Sequence, residues 1–285
     1  MDPEELTAVS EPVRAELPPA TRMGAVHLTV ADLDRSLAYY ETQIGLRVHA
    51  RDGARARLGT GGEDLLILTE EPGAKPADGY SGLFHFALLV PERIDLARWL
   101  AHAARDRVAL SGLSDHFVSE ALYLRDPDHH GIEIYADRPR ELWEGQVGLR
   151  LTTEPLDTND LLATLEEPAS ESFDGLAGGT VMGHVHLCVA DVGRTVDYYR
   201  DVVGFGLMAQ LGDQAAFLSA GGYHHHLGGN TWQSARRPYA PEGYARLTQM
   251  TIVLPDEASL DTLAERVGGR EVRDPSGIPV ALTSG

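Results

Sequence analysis

Cysteine is almost absent from this 285-residue chain: Cys188 stands alone. No disulfide framework can form within it, and zinc or iron–sulfur sites built from several thiolates are excluded, so any metal must be held by His, Asp or Glu. Positive charge is scarce as well. With 24 Lys and Arg against 43 Asp and Glu, a net charge of −19, the chain lacks the basic surface that displaces counterions from nucleic-acid phosphates. The same acidity disfavours an anionic membrane surface. Long apolar runs are missing too, and a bilayer span needs about 18 such residues in succession. The first 22 residues, "MDPEELTAVSEPVRAELPPATR", form an acidic, Pro-rich tail with neither the basic start nor the apolar stretch of a signal peptide. A cytoplasmic protein with no nucleic-acid or membrane partner is expected. What remains, 43% apolar and 24% charged residues, is the composition of a globular protein long enough for one large domain or two ordinary ones.

The chain repeats itself. "MGAVHLTVADLDRSLAYYETQIGL" (23–46) returns as "MGHVHLCVADVGRTVDYYRDVVGF" (182–205), with 11 of the first 18 positions identical. "ARLGTGGEDLLILTE" answers "AFLSAGGYHHHLGGN", "ADGYSGLFHFALLVPE" answers "PEGYARLTQMTIVLPD", and "LRDPDHHGIEIY" answers "VRDPSGIPVAL". Two homologous domains follow, 23–137 and 182–284, joined by a linker over 138–181. Each domain reads as strand, helix and three strands, twice over. "AVHLTV" alternates as a short strand. "ADLDRSLAYYETQI" is a helix capped by Asp32 or Asp34, with apolar residues at Leu33, Leu37 and Tyr40, ended by Gly45. "RIDLARWLAHAA" is the helix of the second cycle. In the linker, "DTNDLLATLEEPA" predicts a capped helix starting near Asp157.

Four βαβββ modules carrying "V.DLDRSLAYY…IGL" and "DPDHHGIEIY" resemble the vicinal oxygen chelate superfamily. "GLFHFALLVP", "EALYLRDPD..GIEIY", "MGHVHLCVAD" and "AGGYHHHLG.NTW" are together similar to its bacterial two-domain, catechol-2,3-dioxygenase-like group. The resemblance spans nearly all of the chain outside the tail and linker. It implies an α+β fold of curved mixed sheets, two tandem vicinal oxygen chelate domains in which pairs of modules close into metal-bearing cups. The superfamily also holds glyoxalase I, bleomycin-binding proteins, fosfomycin-modifying transferases and epimerases, so fold alone does not name a reaction.

The resemblance also implies where ligands sit. The first-strand position is Ala25 in the first domain and His184 in the second; the position opening the next module is His85 against Gln249. The closing Glu position is Glu133 against Ala281, and the third-strand position is Ile67 against His226. Neither domain holds a full set, whereas module two (His85, Glu133) and module three (His184, His226) complement each other. These two modules are therefore expected to share one cup, within a chain or across a homodimer. His85, Glu133, His184 and His226 are the expected metal ligands, with Fe(II) first and Mn(II), Ni(II) or Zn(II) as alternatives, because imidazole and carboxylate suit all four.

Around that set, His116 and His224 are expected to handle protons and Tyr123 to donate a phenolic hydrogen bond, unless Tyr123 is only a packed aromatic. If the histidine run is a strand, alternation puts His224 and His226 on one face and His225 on the other, toward solvent or the opposite wall. His27 and His186, equivalent in the repeat, read as structural or supporting residues. His129 and His130 read as a solvated turn. Tyr39, Tyr40, Tyr198 and Tyr199 read as core. The activity implied is extradiol cleavage of a catechol-like aromatic diol by O2. The alternatives are a non-catalytic small-molecule binder, for which the lost positions Ala25, Ile67, Gln249 and Ala281 speak, or a glyoxalase-like isomerase using all four ligands.

Overall fold

The protein is seen as a computed structural model that describes residues 16–150, 153–165 and 173–285. Module one runs β1 (Val26–Val30), α1 (Leu33–Tyr39), β2 (Arg47–Asp52), β3 (Arg55–Gly59) and β4 (Asp64–Glu70). Asp32 is the N-cap of α1, extended at φ −151° and accepting from the Arg35 N–H at 2.9 Å. Its carboxylate thus takes one of the amides that no intrahelical carbonyl can reach. Leu33, Leu37, Tyr40 and Ile44, spaced by four, three and four, bury one face of this helix and of the wider turn that continues it. Gly45, at φ +89°, ends it.

Module two is β5 (Gly82–Leu89), α2 (Arg93–Asp106), β6 (Gly112–Asp115), β7 (Ser119–Arg125) and β8 (Gly131–Asp137). In the linker, α3 (Thr158–Leu162) starts where expected, with the Asp157 carboxylate accepting from Asn159 and Asp160; the predicted continuation over 166–169 falls outside the described residues. Module three is β9 (Val181–Cys188), α4 (Val192–Val196), β10 (Gly206–Leu211), β11 (Ala215–Ser219) and β12 (Leu227–Asn230). Module four is shorter than the repeat predicts: β13 (Leu247–Leu254) and α5 (Glu257–Val267) are followed only by β14 (Glu271–Arg273) and β15 (Pro279–Ser284). Just three residues, 268–270, separate α5 from β14, too few to hold the missing strand. Among the described residues no helix is long and apolar enough to cross a membrane.

The modules pair out of sequence. Nine strands form one sheet in the order Glu154–Pro155, β6, β7, β8, β5, β9, β12, β11, β10, so modules two and three share it. Modules one and four share the other, β14, β15, β13, β1, β4, β3, β2, with Arg22–Met23 paired to β13. The seams of the two sheets match: β5 meets β9 antiparallel with His85 opposite His186, and β13 meets β1 antiparallel with Gln249 opposite His27. The helices cover the outer faces, and one continuous core of Leu, Ile, Val, Tyr and Trp side chains fills the space against them.

Of the repeated tyrosines, Tyr40 and Tyr199 are buried core and Tyr39 and Tyr198 pack half-buried against it; the buried pair does a second job. Tyr40 donates to Asp126 at 2.9 Å and Tyr199 to Asp274 at 3.4 Å, tying each first helix to the tight turn before a closing strand. The solvated-turn expectation for His129 and His130 divides. His129 is exposed at φ +72°, whereas His130 is buried with its Nε2 at 2.9 Å from the Thr29 carbonyl. Folding the turn of module two onto the end of β1 makes that ring a tertiary tie.

Candidate metal centre

The seam between β5 and β9 brings His85, Glu133 and His184 together. In a strand only alternate residues share a face, and Phe86, Val185, Ile132 and Ile134 go to the helix side, fully buried, so their neighbours turn into the concave side. Two local devices bring the strands close. A register shift between Met182 and His184 bulges β9, which re-aims His184. Gly131 lets β8 approach β5 so tightly that a Cβ there would stand 2.0 Å from the Phe84 carbonyl oxygen.

The result is a cluster of three donor atoms. His85 Nε2 and His184 Nε2 are 3.3 Å apart, and each is 3.0 Å from Glu133 Oε2. The three residues are 7%, 1% and 2% exposed. Donors about 2.1 Å from one ion are separated by about 3.0 Å at right angles and about 3.4 Å at the tetrahedral angle, so these spacings match ligands of one metal. The proton inventory points the same way. Each imidazole can turn a bare Nε2 to the point that the carboxylate oxygen faces, and His184 Nδ1 is buried without a protein partner, so its Nε2 is not the only polar atom of that ring left to the site. Burial alone would raise Glu133, but His184 and His85 hold it well below the usual carboxylate range. Burial depresses His184 to about 4. An ionised carboxylate beside a neutral imidazole is the ligand state a divalent ion requires.

Of the four expected ligands, His226 stands apart from this group. Its Nδ1 faces Ser219 Oγ at 3.1 Å and the Ala220 N–H at 3.2 Å, at the end of β11. It does not enter the set of mutually close donors formed by His85, Glu133 and His184. The matching cup of modules one and four offers Ala25, Gln249 and Ala281 at the positions of His184, His85 and Glu133, and neither alanine has a donor atom.

Above the three donors opens a cavity of about 410 Å³, within the range of small-molecule sites. His85 and Glu133 form part of its floor. His116 and Tyr123 stand on one wall, joined Nε2 to Oη at 2.7 Å. Tyr123 is pushed well above its ordinary value by burial and by Glu133 beside it, so its phenol keeps its proton. Phe217, Trp232 and His186 form an aromatic wall, with the His186 ring centroid 5.6 Å from Phe217 and 5.9 Å from Trp232.

The expected order of the histidine run is reversed here. His225, expected toward solvent or another wall, lines the cavity and packs tilted against His184 with ring centroids 4.1 Å apart. His224, expected at the chemistry, is fully buried behind it, its Nε2 2.9 Å from Asp137 Oδ1. β12 begins only at Leu227, and the chain bends at His224 and His226, so strand alternation does not apply to the run. Sequence reasoning also passed over Trp232 and Phe217 as cavity walls; the only sign was an aromatic closing the "GGNTW" turn.

A family model described as the glyoxalase/bleomycin resistance protein/dioxygenase superfamily matches residues 22–134 and 181–273. The chain is 42% identical over 253 residues, 87% of each protein, to the catechol-2,3-dioxygenase of Bacillus subtilis (strain 168). Among solved structures it resembles a putative dioxygenase from B. subtilis subsp. subtilis str. 168, with a TM-score of 0.61 at 15% identity over 95% of this chain and 86% of that one. Glyoxalase I from Zea mays gives a TM-score of 0.54 at 20% identity over 92% of each. At those identities the two structures testify to shared architecture alone.

Proposed function

We propose that this chain, which belongs to the glyoxalase/bleomycin resistance protein/dioxygenase superfamily, is a metal-dependent enzyme that opens the ring of a catechol-like aromatic diol with O2. The observation that carries the reading is the convergence of His85, His184 and Glu133, the first and last of them at the floor of a cavity sized for a small aromatic. Two imidazoles and one carboxylate on one side of an ion leave positions open for ligands, the arrangement of non-haem Fe(II) oxygenases; Fe(II) is therefore the metal we assign. His85 Nε2, His184 Nε2 and Glu133 Oε2 would hold it. Such an ion supplies chelation of the two diol oxygens and passage of electrons from ring to O2.

The rest of the work falls to the chain. The Trp232, Phe217 and His186 wall offers apolar faces against which a planar ring packs. His225, neutral because burial holds it well below its ordinary value, stands over His184 where it can take a proton from a diol hydroxyl. Tyr123 and His116, hydrogen-bonded to each other on the opposite wall, position the substrate oxygens. The buried floor keeps bulk water from the reacting centre. A four-ligand isomerase is not favoured, because His226 is engaged with Ser219 and Ala220.

The test is anaerobic loading of the purified chain with Fe(II), followed by catechol and air. A yellow ring-cleavage product that appears only with the metal is expected. Metal-loaded protein that binds catechol without colour would leave the binder reading standing in its place.

A further inference from the structure

Behind His225 lies a hydrogen-bonded line whose other members have no part in the reaction above. Asp137, at the end of β8, places Oδ1 2.9 Å from His224 Nε2. His224 places Nδ1 2.8 Å from His225 Nδ1. Asp137 also accepts from Tyr223 Oη at 3.2 Å, and Tyr223 meets Tyr135 Oη at 2.8 Å. The His224 ring is packed between Tyr223, at 4.0 Å between centroids, and Trp143, at 5.6 Å. It has no room to turn.

Counting protons along this line gives it a direction. A carboxylate only accepts, so His224 Nε2 carries the hydrogen that faces Asp137. A neutral His224 then has a lone pair at Nδ1. The 2.8 Å contact to His225 Nδ1 needs one hydrogen, and His225 must supply it. His225 therefore carries its own hydrogen on Nδ1, and its remaining nitrogen, Nε2, is a bare lone pair in a ring that lines the cavity beside His184. Without the line, the free ring would partition between two tautomers, and one of them offers a useless N–H to a substrate hydroxyl.

We infer that Asp137 and His224 are positioning residues: acting in series, they lock His225 in the tautomer that presents Nε2 as a hydrogen-bond acceptor to the diol. The inference deepens the ring-cleavage reading and rests on it for the identity of the diol. Its logic is that of a carboxylate orienting an imidazole, extended by one more ring. It also accounts for two adjacent buried histidines in a turn: one faces the ligand and the other sets its tautomer.

The direct test is nitrogen NMR of the full chain labelled with 15N-histidine and loaded with diamagnetic Zn(II). His225 is expected to show a protonated Nδ1 and an unprotonated Nε2, and His224 the reverse. A His225 protonated on Nε2 overturns the inference. Kinetics give the second readout. His224→Phe keeps a ring but removes the acceptor, and should lower kcat by at least about tenfold, with KM within about twofold and metal content unchanged. His224→Asn restores an acceptor near the Nδ1 position and should recover part of the loss. Wild-type kcat in His224→Phe would overturn the inference. A wild-type chain that fails to cleave catechol refutes the function instead, and the nitrogen pattern still decides the tautomer.

Discussion

At the scale of single residues, the chemistry depends on which side chains reach one point. His85 and His184 do so on the paired strands β5 and β9, and Glu133 on β8 at the other side of β5, where neighbours opposite and alternate are held within a few ångströms. Their positions were expected from the family resemblance, and the repeat set each beside its counterpart in the other half. The place of His225 was not: it depends on bends at His224 and His226 that residue type does not encode. Metal content after dialysis separates these roles. His184→Gln and Glu133→Gln should each weaken retention by more than the roughly 10–100-fold that loss of a supporting hydrogen bond costs. His226→Gln should retain metal like the unaltered chain, and its loss of metal would return His226 to the ligand set.

Among elements, the site depends on how closely strands approach. Gly183 lies in the β9 bulge, where a Cβ would stand 1.9 Å from Tyr135 Oη, and Gly131 lies against the Phe84 carbonyl. The second is the harder constraint, because backbone cannot step aside as a side-chain tip can. Gly131→Ala should cost about 1–3 kcal/mol, the usual toll of overpacking, and should weaken metal binding too, since β8 carries Glu133. Urea unfolding with a parallel metal titration measures both. Stability lost without any change in metal affinity would show that β8 shifts as a rigid unit with its neighbours. The helices were readable beforehand because caps and apolar spacing are local: Asp32, Asp157 and Gly45 do what their residue types predict. The short module four was hidden by the repeat itself, whose similarity suggests a strand for which 268–270 leave no room.

For the whole molecule, burial of many imidazoles shapes the response to acid. Burial depresses His226 to about 3, against 6.5 when the chain is unfolded. The folded form stays neutral while the unfolded form takes up a proton, so this contribution is present above about pH 6.5 and fades as pH falls toward 3. By pH 5 about 2 kcal/mol of it is lost. Asp274 works in the opposite sense. Burial pushes it up to about 6, so its stabilising share is greatest below about pH 4 and is lost as pH rises through 6. Between pH 7.5 and 5 the histidine effect should dominate, because His27 and His186 are lowered by burial as well. The unaltered chain should therefore lose stability on acidification, and His226→Gln should lose about 2 kcal/mol less, read from urea unfolding at the two pH values. Equal losses would mean that His226 is solvated in the folded state.

The two cups make a further prediction at this scale. All three close donors come from modules two and three of one chain, while Ala25 and Ala281 leave the other cup with Gln249 alone at the three matching positions. Metal analysis should find one ion per chain, and binding should not change on dilution. Two ions per chain, or affinity that falls with protein concentration, would contradict this.

The repeat, the two tandem domains and the helix caps were legible in the sequence, since each is written in local residue type or in the match between halves, and the family resemblance pointed to His85, Glu133 and His184 together with His226. The sequence also ruled out metal sites built from several thiolates, because Cys188 stands alone. That module two pairs with module three inside one chain was settled by the fold, because strand pairing between residues about a hundred positions apart depends on the packing of all four modules. The fold alone decided that His225 faces the cavity, with His224 and Asp137 behind it. That outcome rests on where β12 begins and on which rings fill the space around the turn, and neither has a periodicity to read.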